Sequence, residues 1–361
     1  MVVVGAGPAG SLAARFAAQG GARTLLVDQR TELGVPVQCG EYLPEPAELK
    51  DLFDCPEVID EAFHIPAGSV LRRTDRMACI APTGRRYEFP LAGLSVSRRV
   101  FDAALAREAE AAGAELRFPA GVTRVQDDRV ELANGRAVRA QVIVGADGPV
   151  STVARGTGFT VPRTMYRMIT ATARGDFPSE IDLYFGRAAP GGYAWMIPKD
   201  GEANVGLGVP RLPPGTSLSA LLDRFLRDHG MGPAFDRTRW WVPIGPPPES
   251  AVRGRALLAG DAANLVMATN GGGIPTAMIS GRDAGVTAAR HVRDGAPLSE
   301  YDVLLRRHLF APLARAFSIK RFSDRVVDRD LLLALGMRYI GAKGLDAMMR
   351  LRWPSRLGRG S

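Results

Sequence analysis

Cysteine is scarce in this chain: Cys39, Cys55 and Cys79 are the only three among 361 residues. An odd number with no CxxC pair argues against a disulfide framework or a cysteine-based zinc site, and for a reducing, cytoplasmic compartment. The four histidines, His64, His229, His291 and His308, are scattered without ligand spacing, so no metal is expected. No uninterrupted apolar run approaches the roughly 18 residues of a spanning helix. The opening Met1-Val2-Val3-Val4-Gly5 lacks the basic region and small-residue cleavage site of a secretory signal. Repeats and low-complexity tracts are also missing. What remains is an ordinary globular balance, 46% hydrophobic and 23% charged, which excludes wholesale disorder and a fibrous fold. The length suits one large domain or two to three sub-domains.

The net charge of +8 is unevenly placed. Residues 301–361 carry 13 basic and 5 acidic side chains, whereas the first 300 carry 33 of each. A basic protein in general suggests a nucleic-acid partner. An excess confined to one end points instead to a partner of that end alone.

Val2-Val3-Val4 is a short β-branched run that ends in Gly5-Ala6-Gly7-Pro8-Ala9-Gly10 and leads into an Ala-rich stretch of strong helix propensity. Thr24-Leu25-Leu26-Val27 reads as the next buried strand, stopping at Asp28, so the unit belongs to a parallel sheet. Helical spacing follows from Arg98 to about Ala114, then a hairpin-like segment over 122–138, and buried strands at Ala140–Gly145 and Ala256–Ala259. Residues 65–94 and 165–250 differ, with alternating strands and dense Pro/Gly punctuation. The expected architecture is α/β, α+β overall. Segments 1–64, 95–164 and 251–300 form a Rossmann-like domain, whose turns are read below as those of an FAD-binding domain, and 65–94 with 165–250 form an inserted, mostly antiparallel β-sheet substrate domain. Residues 301–361 form a basic helical C-terminal region.

Gly5-x-Gly7-x-x-Gly10, directly after a strand and opening a helix, is the dinucleotide fingerprint in its required context. The first glycine makes the turn and the second admits a pyrophosphate. The third lets helix and strand pack closely, with the helix N terminus aimed at phosphate. Asp28, at the end of the second strand, is placed to accept hydrogen bonds from a ribose. The late strand closing in Gly260-Asp261 is an element that pure NAD dehydrogenases do not require, and its Asp suits a ribityl chain. Gly271-Gly272-Gly273-Ile274 then opens a helix-like stretch whose N terminus suits the anion of a reduced flavin. With Arg98-x-x-Phe101-Asp102 and Asp147-Gly148 between them, the order is that of the two-domain FAD fold of the aromatic hydroxylase and reductase type. Asp147-Gly148 is also a good turn, and Arg98 also suits a plain surface charge.

Val37-Gln38-Cys39-Gly40-Glu41, Tyr193-x-Trp195-x-x-Pro198-Lys199 and Gly206-x-Gly208 together resemble the geranylgeranyl reductase family of flavoproteins, as does the stretch from Gly260-Asp261 to Gly273-Ile274. The resemblance covers residues 1 to about 300. It implies FAD-dependent saturation of isolated double bonds in prenyl chains. It also implies FAD contacts at Ala9, Asp28, Cys39, Gly40, Arg98, Val122, Asp261, Gly273 and Ile274. The chain departs from the family in having Ile197 where Phe is usual, Tyr42 where Gly often follows Cys-Gly-Glu, and Met267–Asn270 where a Pro-containing stretch is common.

Reducing an unactivated alkene needs a hydride at one carbon, a proton at the other and a dry site around both. Cys39 and Tyr193 are the candidates for the proton or its relay, and Trp195 for stabilising cationic charge. Lys199, one of four lysines against 42 arginines, lies on the active-site side in the family. Each has a plainer alternative: Cys39 as a small buried hydrophobe, Tyr193 and Trp195 as core residues sharing one strand face, Lys199 as a strand-end charge. Trp240 and Trp241, adjacent on a strand, must point to opposite faces.

The basic end holds an apolar run, Leu331–Leu335, and in Met348–Trp353 interleaves apolar side chains with Arg, which suits a peripheral contact with an anionic membrane or a solvated basic surface. The expected partners are therefore a prenyl-lipid substrate and a membrane surface, with no nucleic acid. No second GxGxxG is present, so electrons come from transiently bound NAD(P)H or from a ferredoxin-like donor protein. A flavin monooxygenase or halogenase is the competing reading, because Trp195-x-Ile197-Pro198 echoes a halogenase signature on the same cofactor fold.

Overall fold

Val2, Val3 and Val4 are buried on both faces of a parallel sheet, as an unbroken β-branched run requires. This computed structural model describes residues 1–160 and 163–357. Residues 161–162 of the expected segment 95–164, and 358–361 of the C-terminal region, lie outside the described residues. The sheet has six strands in the order Val252–Arg253, Ala256–Leu258, Ile143–Gly145, Val2–Val4, Leu25–Val27 and Glu115–Arg117. All its pairings are parallel except that of the Val252–Arg253 edge. The helices Pro8–Gln19 and Ile274–Asp294 pack together through small residues. A Cβ on Gly281 would sit 2.1 Å from the Ala9 carbonyl oxygen and one on Gly285 2.5 Å from that of Ala13, so both positions must be glycine.

A second sheet of eight strands runs Phe235–Ile244, Thr164–Arg174, Glu202–Val209, Tyr193–Pro198, Glu180–Phe185, Val70–Ile80, Arg86–Val96 and Tyr42–Pro44. Its pairings are antiparallel except between Glu180–Phe185 and Val70–Ile80. The Tyr42–Pro44 edge strand departs from the sequence reading. It comes from the first 64 residues, yet pairs with Arg86–Val96, carrying the chain just after Cys39-Gly40-Glu41 into the second sheet. Val122–Gln126, Arg129–Leu132 and Ala137–Arg139 form a small third sheet.

The C-terminal region is helical over Glu300–Leu305, Ala311–Ser323 and Asp330–Met349, the last kinked at Gly341, where φ is +65° and ψ −172°. It is part of the core rather than an appendage. Tyr301, Leu309 and Leu313 are buried in the first core, and Leu333, Met337, Leu345 and Met349 in the second. His308 Nδ1 lies 2.7 Å from Asp283 Oδ2, tying this region to the Ile274–Asp294 helix. The expected lipid-facing run Met348–Trp353 turns inward. Met349 and Leu351 are buried, Arg350 pairs with Glu48 and Asp346, and Arg352 pairs with Asp51. Leu331, Leu332, Leu335 and Tyr339 do face outward.

Candidate active site

One cavity of about 850 Å3 runs from the Gly5–Gly10 loop, along the seam between the sheets, to the C-terminal helices. Its first end is shaped by backbone. Gly5 has φ +97°, and a Cβ there would lie 2.3 Å from the Ala146 carbonyl oxygen. A Cβ on Gly10 would meet the Gly5 carbonyl at 1.8 Å, the close packing that the third glycine serves. Gly10 therefore lies beneath the loop rather than in the cavity wall. Gly7 caps the Pro8–Gln19 helix, and a Cβ there would find nothing within 4 Å, which leaves an open concavity at that helix N terminus. Asp28, 5% exposed, closes the loop: its Oδ2 accepts from the Ala6 N–H at 2.7 Å and its Oδ1 from the Arg30 N–H at 2.8 Å.

Gly260, with φ +58°, faces Ala9, and Gly273 caps the Ile274–Asp294 helix. A second helix N terminus thus meets the cavity, whose wall here includes Gly260, Asp261, Gly272, Gly273 and Ile274. Desolvation pushes the Asp261 carboxyl up to about 6, against the opposing pull of Arg98 and Arg163. Val122 and Asp147 also border the cavity. The Asp147 oxygens are already engaged, by Ser151 Oγ at 2.5 Å and the Thr152 and Val153 N–H groups at 2.7 and 3.2 Å. This carboxylate holds the start of the short helix Thr152–Thr157.

Between the two ends lies the Cys39–Gly40 turn. A Cβ on Gly40 would sit 2.9 Å from Ile197 Cδ1 and 3.6 Å from Trp195 Nε1, so glycine lets the turn rest on that strand. Cys39 Sγ accepts from the Glu41 N–H at 3.2 Å. Arg98, paired through two 2.8 Å bonds to Asp102, is pulled down by burial. The Asp102 carboxylate, with side-chain hydrogen bonds to Asp102 and Cys39, more than offsets this and holds the guanidinium above its ordinary value. Tyr193, Trp195 and Ile197 alternate along their strand and all three reach the cavity. The Tyr193 hydroxyl donates to the Asn270 carbonyl. Burial, then the nearby Cys39 and Cys79, push this phenol above its ordinary range, so it stays protonated.

Lys199 is placed elsewhere than the sequence reading suggests. It is not among the cavity-lining residues, and its ammonium forms a buried ion pair with Glu41. The sequence analysis quoted Glu41 only as part of a motif, and it passed over Asn204, which bonds to Trp195, Cys39 and Glu41. The available signal was a lone amide inside an otherwise apolar strand, Glu202–Val209.

The far end of the cavity is apolar, walled by Tyr42, Met77, Leu183, Phe185, Met337 and Met349. Tyr42 packs flat on Gly93, where a Cβ would lie 2.2 Å from its ring. Trp240 and Trp241 both reach the cavity despite their opposite faces, and Arg167 stacks over Trp241 with its guanidinium 5.4 Å from the ring centroid. Among the described residues no group of three or more His, Cys, Asp or Glu is arranged to hold a metal ion.

Comparison with known proteins agrees with this geometry. Residues 163–239 match the geranylgeranyl reductase catalytic domain, and residues 3–55 match an NAD(P)-binding Rossmann-like domain. The digeranylgeranylglycerophospholipid reductase of Methanocella arvoryzae is 32% identical over 365 residues, covering 92% of this chain and 89% of the relative. A geranylgeranyl bacteriochlorophyll reductase-like protein from Thermoplasma acidophilum superposes with a TM-score of 0.85 at 25% identity, covering 99% and 97% of the two chains. A flavin-dependent brominase shares the fold, with a TM-score of 0.71 at 19% identity over 97% and 92% of the chains. The chain belongs to the geranylgeranyl reductase family and is an oxidoreductase of that family.

Proposed function

We propose that the protein is an FAD-dependent reductase that saturates isolated C=C bonds in the prenyl chains of a lipid. The observation that carries this reading is the continuity of one cavity, from two helix N termini and two carboxylates at one end to an apolar chamber at the other. The open concavity at Gly7 and the turns at Gly5 and Gly260 suit a pyrophosphate, and Asp28 and Asp261 suit ribose and ribityl hydroxyls. FAD therefore fits the donor set, and in its reduced form it supplies the hydride.

The chain's own residues supply the rest. Trp195, Tyr193 and Ile197 present one apolar and aromatic face to the substrate, exclude water and stabilise cationic character on the substituted alkene carbon. That carbon takes the hydride, and the proton goes to the other, less substituted carbon. Cys39 Sγ accepts the Glu41 N–H, which leaves its S–H free to donate. The Tyr193 proton is committed to the Asn270 carbonyl, so Cys39 is the better placed of the two candidates. The Arg98 guanidinium, held by Asp102, hydrogen-bonds to the Cys39 side chain. Lys199 acts on this reading through Glu41 and not on the substrate.

The outward face of the Asp330–Met349 helix supports a lipid dock. Leu331 and Leu335 are 71% and 53% exposed, and Arg329 and Arg338 lie exposed beside them, an arrangement suited to an anionic bilayer. Tyr339, 57% exposed, belongs to this face and also lines the cavity, so dock and entrance coincide. No helix among the described residues is long and apolar enough to cross a membrane.

The reading is tested by adding geranylgeranyl diphosphate, a menaquinone and a digeranylgeranyl glycerophospholipid to anaerobically reduced protein. The lipid is expected to reoxidise the flavin. A protein that ignores all three, or that yields hydroxylated or halogenated product in air, contradicts it. Cys39→Ala with full turnover contradicts the cysteine's role.

A further inference from the structure

Asn204 is 2% exposed, and every hydrogen-bonding position of its amide is used. Its Oδ1 accepts from Trp195 Nε1 at 2.8 Å and from Thr170 Oγ1 at 2.8 Å. Its Nδ2 donates to the Cys39 carbonyl at 3.0 Å and to Glu41 Oε2 at 3.1 Å. Glu41 stands in the left-handed region at φ +63°, where a non-glycine residue persists only if its surroundings hold it. They do: Glu41 Oε2 takes the Lys199 ammonium and Oε1 takes the Arg98 N–H at 3.2 Å.

The Cys39–Glu41 turn is thus fastened to the second sheet by one amide and one buried ion pair. The Trp195 ring is fastened by the same amide. It folds over Gly206, where a Cβ would lie 2.3 Å from it, and this brings its Nε1 to Asn204. Thr170 Oγ1 adds a longer contact to the Cys39 carbonyl at 3.5 Å.

We propose that Asn204, acting with the Glu41–Lys199 ion pair, is the positioning residue that holds the Cys39 turn and the Trp195 ring in one geometry across the cavity. The inference rests on the reading of Cys39 and Trp195 as the groups that face the substrate. Only a carboxamide serves here. An Asp would set a second carboxylate against Glu41, and an apolar residue would strand the Trp195 N–H, the Cys39 carbonyl and the Thr170 hydroxyl without partners.

The test reads the cysteine directly, without substrate. Cys55 and Cys79 are buried and pushed up to about 12 by desolvation, so Cys39, half-buried, is the thiol that native protein offers to iodoacetamide. In Asn204→Asp the rate of Cys39 alkylation and its pH profile are expected to change by about tenfold or more. Turnover is expected to fall about 10²-fold in kcat with little change in KM, as for a misplaced reacting group. Thr170→Val, which removes one hydroxyl from the same amide and introduces no charge, is the milder variant and is expected to fold where Asn204→Asp does not. It is expected to shift both readings by roughly three- to tenfold, the loss of one hydrogen bond.

Wild-type alkylation in Thr170→Val and in folded Asn204→Asp would overturn the positioning role, whatever the turnover. Altered alkylation with unchanged turnover would instead defeat Cys39 as the proton donor and leave the positioning of the turn established. The two readings therefore fail separately.

Discussion

The hydroxyl of Tyr193, on the central strand of the second sheet, donates to the backbone carbonyl of Asn270, at the start of the Gly271–Gly273 run. One side chain thus pins the loop that precedes the Ile274–Asp294 helix to the wall of the cavity. Tyr193→Phe removes that tie and keeps the ring. It is expected to cost about 1 kcal/mol of stability, to loosen the flavin site, and to leave a reductase weakened but not abolished. Thermal unfolding and FAD titration check this, and complete loss of turnover with native FAD affinity would restore Tyr193 as the proton source.

The three glycines of the fingerprint make unequal demands. A Cβ on Gly7 meets nothing within 4 Å, whereas one on Gly10 would sit 1.8 Å from the Gly5 carbonyl oxygen. Gly7→Ala is therefore expected to leave the apoprotein as stable as wild type and to lose FAD by filling the pyrophosphate concavity. Gly10→Ala is expected to destabilise the fold itself by about 1–3 kcal/mol. Calorimetry of apoprotein together with FAD binding separates the two, and FAD-binding Gly7→Ala would place the pyrophosphate elsewhere.

Asp261 makes the apoprotein pH-dependent. Its carboxyl is pushed up to about 6 by desolvation, above the ordinary value of about 4 that it has in the unfolded chain. Between those values the folded state holds a proton that the unfolded state has released, so stability falls as pH rises from about 4 to 6 and is level above. The loss is of order 3 kcal/mol. Asp261→Asn is expected to abolish that slope, to stabilise the apoprotein near neutral pH and to weaken FAD. Urea midpoints across this range, with and without FAD, check it. An unchanged slope in Asp261→Asn would contradict this assignment.

Much of this was legible along the chain and some of it was not. The fingerprint, the strand ending at Asp28 and the late Gly260-Asp261 were legible because run, turn and helix follow one another along the chain, although the atoms that crowd Gly5 and Gly260 come from Ala146 and Ala9. The Glu41–Lys199 pair spans 158 positions, and Asn204 bonds to Cys39 across 165, so no periodicity announces them. Tyr42 was legible only as a departure from the family, because the space for its ring comes from Gly93 on a neighbouring strand. The C-terminal region misled for another reason. Its basic residues suggested a surface segment, but Arg350 and Arg352 spend their charge on Glu48, Asp346 and Asp51, and Met349 and Leu351 beside them turn into the core.

The outward leucines of that region carry a separate expectation. Leu331→Ser with Leu335→Ser changes two exposed side chains, so the fold is expected to hold while binding to anionic vesicles falls several-fold. Turnover on detergent-dispersed lipid is expected to stay near wild type. Cosedimentation with vesicles of anionic and of neutral lipid checks this, and undiminished binding to the anionic ones would move the dock to another face.

The central claim is that reduced flavin and this apolar chamber together saturate a prenyl chain. The most direct measurement is mass spectrometry of a digeranylgeranyl glycerophospholipid after anaerobic incubation with the chemically reduced protein. The account predicts products heavier by a pair of hydrogens for each bond reduced, formed in step with flavin reoxidation and much diminished in Cys39→Ala. Lipid recovered unchanged from fully reduced, FAD-loaded protein would contradict it.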